Sequence, residues 1–356
     1  MPIPRPLATA APSRVGPVVA LIALAAILLP SPSARAQTTY DLQGDQWKAR
    51  GEPDPASPEG QLLTIRRHLA ADEPREAEEL ADEWIAEHRG HPGLAEAYVL
   101  RGDAKVGRGR YYESLFDYEL VARVYPGTEQ FNDALQREYE VGLLFLGGVR
   151  RRLPLIGLPI LPAYAEGEEL MIRIQERAPG SEIGERASLA LADYYFADSD
   201  MGNAQVAFES FLRNYPRSAQ RERALLMLIR SLLASFKGPR FDSTPLAEAL
   251  QRIDQYRREF PVQAQTLGLE GIELRVRESL ALKAIETARW YDRTGKDVSA
   301  AQLHRRILKE HAGSAAADES LRWLTRRGLL TPPAPAPTSD TDNAPGSRAA
   351  TPEATP

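Results

Sequence analysis

Three stretches of this chain close in the same way: FDYELVARVYPGTEQ (116–130), AFESFLRNYPRSAQ (207–220) and LQRIDQYRREFPVQA (250–264). Each is a run of helix formers with apolar residues at helical spacing, stopped by Tyr-Pro or Phe-Pro. Proline cannot continue a helix, so the same stop signal ends each run. A fourth stretch, RRILKEHAG (305–313), carries Ala312 where the others carry proline. Twelve, eight and five residues before this end stand Ser114/Tyr118/Val121, Ala204/Phe208/Phe211, Ala249/Ile253/Tyr256 and Ala300/His304/Ile307. Steps of four and three place each trio on one helical face. The first member is small and lets a neighbouring helix approach; the next two fill the space beside it.

A second helix precedes three of these, those ending at Pro126, Pro216 and Ala312. Tyr98 and Gly102 lead to a turn around Gly109, Leu191, Ala192 and Tyr195 to a turn at Gly202, and Ala284, Ala288 and Tyr291 to a turn at Gly295. Pro92 and Pro126 are 34 positions apart, and Pro179 and Pro216 are 37 apart. Helix, glycine turn, helix and proline at a period near 34 residues is the tetratricopeptide pattern. The expected fold is all-α: a tetratricopeptide-repeat α-solenoid of about five to six helix-turn-helix units. The units read as 60–92 (anchored by Leu80 and Trp84), 93–126, 127–179, 180–216, 217–261 and 262–312, with a capping helix at 315–327. No strand-like alternation of useful length occurs.

The ends differ from this body. Arg5 and Arg14 precede the apolar run Val18–Leu29, and Ala34-Arg35-Ala36 precedes Gln37. That order reads as a cleaved signal peptide over 1–36, with cleavage between Ala36 and Gln37. The apolar run is short of the roughly 20 residues that a membrane span needs. Residues 37–58 read as a flexible linker, 59–328 as the helical domain, and 329–356 as a disordered tail rich in Pro, Ala and Thr. From 331 onward there are seven prolines and no Leu, Ile, Val or aromatic residue to offset the cost of ordering the backbone.

Charge and cysteine usage exclude several functions. The formal charge is −5. Residues 1–36 carry three arginines and no acid, so the remainder is at −8, which gives no electrostatic ground for binding nucleic acid. There is no cysteine, hence no disulfide, no thiol catalysis and no lipid on a cysteine. KVGRGRYY (105–112) mixes basic and aromatic residues but coincides with an interhelix turn. His88 and His91 stand in EHRGHPG without a third ligand nearby, so no metal is expected, and His304 occupies a core-facing repeat position. No nucleophile elbow, phosphate-binding loop or His-Glu-x-x-His is present. No cofactor and no catalysis are expected.

Two inserts interrupt the repeats. In GGVRRRLPLIGLPILPAYAEG, Arg150, Arg151 and Arg152 precede thirteen uncharged residues, Leu153–Ala165, that include Leu155 and Ile156. The segment 150–165 is read either as a loop folded over the core or as an exposed contact for a membrane surface or a partner. In the second insert, Asp242-Ser243-Thr244-Pro245 reads as a helix start.

The stretch FKGPRFDSTPLAEALQRIDQYRREFP (236–261) resembles a signature of the BamD-like tetratricopeptide family. LALKAIETARWYDRTGKDVSAAQLHRRILKEHAGSAAADESLRWL (280–324) is similar to that family's last repeat. The resemblance extends over roughly 60–327, without the lipidated cysteine of the family. It implies an outer-membrane assembly scaffold at the periplasmic face, with partners among envelope proteins or extended peptides, including barrel-assembly subunits. By repeat geometry Asp103, Asp193 and Arg289 fall on the inward side of the first helices and are candidate groove contacts. The alternatives are a periplasmic organiser of cell-wall or secretion machinery and, more remotely, an envelope enzyme with a buried polar cluster in the groove.

Overall fold

A computed structural model describes residues 40–43, 46–49, 53–152 and 159–330. The signal peptide, its cleavage point at Ala36 and Gln37, and the tail from 331 lie outside the described residues. The chain divides between Thr64 and Ile65 into two compact units. In the first, β1 (Tyr40–Gln43) pairs antiparallel with β2 (Gln46–Ala49), Tyr40 opposite Ala49. These strands stand inside the stretch that composition assigns to a linker. Asp54 and Ser57 then form the start of α1 (Pro58–Ala70): the Ser57 hydroxyl accepts from the Gly60 amide at 3.1 Å.

The second unit is a succession of antiparallel helix pairs. After α1 come α2 (Pro74–Glu87), the pair α3 (Leu94–Gly107) and α4 (Tyr111–Val124), and the pair α5 (Glu129–Leu146) and α6 (Tyr164–Arg177). Then follow α7 (Glu182–Ala197) with α8 (Met201–Asn214), and α9 (Arg221–Ser235) with α10 (Thr244–Glu259). A short α11 (Pro261–Thr266) leads to α12 (Leu269–Arg293), its partner α13 (Asp297–Glu310) and the terminal α14 (Ala315–Arg326). From α2 onward each helix packs on the next, and α3, α5 and α7, the first helices of successive pairs, also touch in turn. This is the tetratricopeptide arrangement expected from the period.

Three of the turns between pairs have a common local chemistry. Pro126-Gly127-Thr128, Pro179-Gly180-Ser181 and Ala312-Gly313-Ser314 each place a left-handed glycine before a hydroxyl residue. That hydroxyl accepts from an amide three residues on: Phe131 at 3.2 Å, Gly184 at 3.1 Å and Ala317 at 3.1 Å. One helix is thereby stopped and the next one capped within three residues. Within the pairs the left-handed residues of the connections are Gly109, Gly148, Ser199, Gly238 and Gly295, and Asp72 has the same conformation between α1 and α2. The expected turn at Gly202 is thus three residues early, at Ser199, and Gly202 lies in the first turn of α8.

The core is the repeat face itself. All twelve residues of the four trios are buried, none of them more than 1% exposed. Unit 127–179, lengthened by its insert, obeys the same rule through Gly167, Met171 and Ile174 on α6. On α2 the register differs. Ala77, Ala81 and Trp84 are buried while Leu80 is only half-buried, because α2 stops at Glu87 and the chain makes an extra turn before Pro92. Each fully buried Phe or Leu contributes about 1.5–3 kcal/mol through the apolar area it removes from water.

Candidate functional site

The first helices of successive pairs are tied by side chains that bridge one pair to the next. Asp103 on α3 accepts from Arg137 on α5, Nε at 2.8 Å. Arg186 on α7 donates to Gln136 on α5 at 3.0 Å. Asp193 on α7 accepts from Arg223 on α9 at 2.9 Å through both oxygens. Arg289 on α12 donates to Glu319 on α14, Nε at 2.8 Å. Asp103, Asp193 and Arg289 therefore share one role in the stack: each reaches the first helix that follows, 30 to 34 residues on.

Between α5 and α7 these ties border a cleft of about 480 Å³. Its floor is aliphatic and aromatic: Tyr139, Leu143 and Leu146 from α5, with Leu189, Ala190, Tyr194 and Ala197 from α7. Leu143 is 41% exposed, a large apolar side chain left open to solvent. Arg186 and Asp193 stand at the border, the guanidinium 4.5 Å over the Tyr139 ring. Tyr164, at the start of α6, stacks on Tyr194 with centroids 6.3 Å apart. Chemically the cleft offers apolar anchors inside and one cation and one anion at the edge. Of these residues, repeat geometry points only to Asp193. The further signal in the sequence is EVGLLFL (140–146), where apolar residues exceed what one buried helix face can hold.

Buried carboxylates cluster elsewhere along the pairs. Glu78 is held by Arg108 and Arg110 at 2.5 and 2.7 Å. Asp117 is held by Arg101 and Lys105 at 2.5 and 2.7 Å. Glu138, fully buried on α5, meets Arg177 on α6 only at 3.2 Å. Burial pushes its carboxyl up to about 7, against the pull of Arg177. Arg177 makes its shorter bond, 2.5 Å, to Glu119 on α4.

The basic triplet is partly built into the fold. β3 (Arg151–Arg152) pairs antiparallel with β4 (Pro159–Leu161). Arg151 lies 4.5 Å over the Tyr112 ring and 2.9 Å from Glu166, while Arg150 and Arg152 are exposed. Leu155 and Ile156 lie outside the described residues. Val149 and Ala163, on either side of the strand pair, pack into the core, so the insert is anchored at both ends.

His88 stacks on Trp84 at 4.6 Å, and His91 accepts from the Gly93 amide at 3.0 Å. Among the described residues no group of three metal-binding side chains forms. His304 is buried, stacked on Trp323 at 4.3 Å with Nδ1 3.0 Å from the Ser320 hydroxyl, and burial lowers its pKa. The Asp242 carboxylate accepts from the Thr244 amide at 3.0 Å and hydroxyl at 2.9 Å, closing the start of α10; these bonds lower its pKa.

Residues 163–332 match the family model YfiO, described as an outer membrane lipoprotein. Both stretches that resemble the BamD-like family, 236–261 and 280–324, fall inside this match. No curated protein matches the chain. Similar solved structures include the C-terminal part of a TPR repeat-containing protein from Cytophaga hutchinsonii, 12% identical with a TM-score of 0.37, covering 74% of this chain and 88% of that one. PilW, a type IV pilus biogenesis factor, is 12% identical with a TM-score of 0.29, covering 74% and 98%. The P58(IPK) TPR domain is 16% identical with a TM-score of 0.27, covering 74% and 76%.

Proposed function

We propose that this chain is a non-catalytic scaffold of the bacterial envelope that binds proteins or extended peptides, in a BamD-like role linked to outer-membrane protein assembly. The observation that carries this reading is the cleft between α5 and α7, with its exposed Leu143 and aromatic walls. A segment presenting one or two large apolar side chains would bury them against Leu143, Leu146 and Leu189. Arg186 and Asp193 would orient its polar groups at the rim. Tyr139 and Tyr194 are rigid amphipathic surfaces of the kind that recur in recognition sites.

The envelope location rests on the secretory pattern of residues 1–36 and on the match of 163–332 to an outer membrane lipoprotein family. Among the described residues no helix is long and apolar enough to cross a membrane. The link to barrel assembly rests on the family match, and the groove supplies the mechanism.

The test is a photo-crosslinking amino acid placed at Leu143 and, separately, at Leu189, irradiated in cells. Crosslinks to barrel-assembly subunits or to unassembled barrel proteins are expected, and Leu143→Glu should abolish those formed from position 189 while leaving the melt unchanged. Crosslinks confined to cell-wall synthesis or secretion components would replace this reading with an organiser of that machinery.

A further inference from the structure

The groove leaves the basic triplet after α5 without a use. Arg151 is turned inward onto Tyr112 and Glu166. Arg150 and Arg152 are exposed, and among the described residues neither guanidinium has a hydrogen-bond or ion-pair partner. Arg152 lies against the α3–α4 turn: a Cβ added to Gly109 would sit 3.3 Å from its Nη2. The same turn carries Arg108 and Arg110, which share the single buried carboxylate of Glu78.

Arg108, Arg110 and Arg152 are thus carried on or against one turn, Arg151 and Arg150 are next to Arg152 in the chain, and the carboxylates paired with these five arginines number three: Glu78, Glu113 and Glu166. The patch is left with two positive charges in excess, on a chain whose formal charge is −5. Beside it the strand pair presents an aliphatic group. Arg152 stands opposite Pro159 and Arg151 opposite Leu161, and Ile160 between them is 47% exposed.

We infer that the face carrying Arg150, Arg152 and Ile160 is a contact surface for the phosphates of an anionic lipid bilayer. Guanidiniums bind phosphate oxygens through paired N–H donors. A bilayer offers such oxygens across a plane, and an exposed aliphatic beside them enters the boundary between headgroups and acyl chains. An anionic surface repels the acidic remainder of the chain, so the patch would also set which side faces the membrane. The α5–α7 cleft takes no part in this contact, so each reading can fail without the other.

The experiment is flotation of the full chain with vesicles of phosphatidylcholine alone and with vesicles containing phosphatidylglycerol. The wild type is compared with Arg150→Glu/Arg152→Glu. Both proteins keep the same apolar N-terminus, so retention on the neutral vesicles measures that segment and should be equal. The additional retention on phosphatidylglycerol should fall at least about tenfold in the variant and on raising salt from about 50 mM to about 300 mM. Arg150→Gln/Arg152→Gln, with a smaller loss expected, covers the case in which charge reversal disturbs folding. Equal retention of wild type and variants, or retention indifferent to salt, overturns the inference. A wild type that binds a polyglutamate peptide and ignores phosphatidylglycerol also overturns it, because the partner would then be an acidic protein segment.

Discussion

Asp103 on α3 and Arg137 on α5 are joined by two hydrogen bonds, 2.8 Å from Nε and 3.2 Å from Nη2, and Tyr118 on α4 donates to the same carboxylate at 2.8 Å. One carboxylate thus connects both helices of a pair to the first helix of the next. Burial and the neighbouring Asp103 charge raise the Tyr118 pKa, so the hydroxyl stays a donor. Asp103→Ala strands a buried hydroxyl and a half-buried guanidinium and should destabilise the fold by about 1–3 kcal/mol. Tyr118→Phe should cost less in the Asp103→Ala background than in the wild type. Urea unfolding of the four proteins measures this, and additive costs would show that Asp103 and Tyr118 do not act together.

Glu138 predicts an unusual pH dependence. Its folded pKa is near 7, above the ordinary 4.5, chiefly because burial penalises the charged form. The folded protein therefore binds a proton more tightly than the unfolded chain. The stability this contributes is complete below about 4.5 and lost as pH rises through about 7. The full effect is at most about 3–4 kcal/mol, since each tenfold difference in proton affinity between the two states is worth about 1.4 kcal/mol. Glu138→Gln removes the titration and keeps the shape, while Arg177 retains Glu119. Between pH 5 and pH 8 the wild type should lose stability relative to this variant; parallel stability curves would contradict the assignment.

Much of the fold was legible because the signal is local. Steps of four and three ahead of the terminal proline are set by helix geometry alone, and they put Ala204, Phe208 and Phe211 at the core, where all three are fully buried. The register slipped where the stop signal moved. Pro92 lies beyond an additional turn containing Gly90 at φ +89°, so Ala81 rather than Leu80 enters the core of α2. The cleft was less legible. Whether Leu143 faces solvent or a neighbour depends on how α5 stacks on α7, which is decided by contacts more than 40 residues apart. The strand pair of the insert escaped for another reason. Its strands are two and three residues long, and Pro154, Pro159 and Pro162 hide any alternation.

Ala204 tests the small member of the trio. It is fully buried in a core shared with Phe208, Phe211, Leu228 and Ile253 from three helices. Ala204→Trp must displace those neighbours and should destabilise by about 1–3 kcal/mol or more. Thermal unfolding followed by circular dichroism reads it directly. An unchanged midpoint would mean that α8 does not present this face to α9 and α10.

Gly102 separates intrinsic helix preference from packing, because the two predict opposite signs. Within a helix, glycine to alanine ordinarily stabilises by about 0.8–1 kcal/mol. Here a Cβ would stand 2.4 Å from Cε1 of Tyr118 and 2.8 Å from its Cζ. That ring is fully buried, and its hydroxyl is bound to Asp103 on the same helix as Gly102. It cannot withdraw without breaking that bond, so the α3–α4 distance must open instead. Gly102→Ala should therefore destabilise by about 1–3 kcal/mol, and Tyr118→Leu, which vacates the clashing atoms, should restore part of the loss in the double variant. A stabilised Gly102→Ala protein would show that α3 and α4 do not approach this closely, and with that the reason for a small residue at the helix crossing would go.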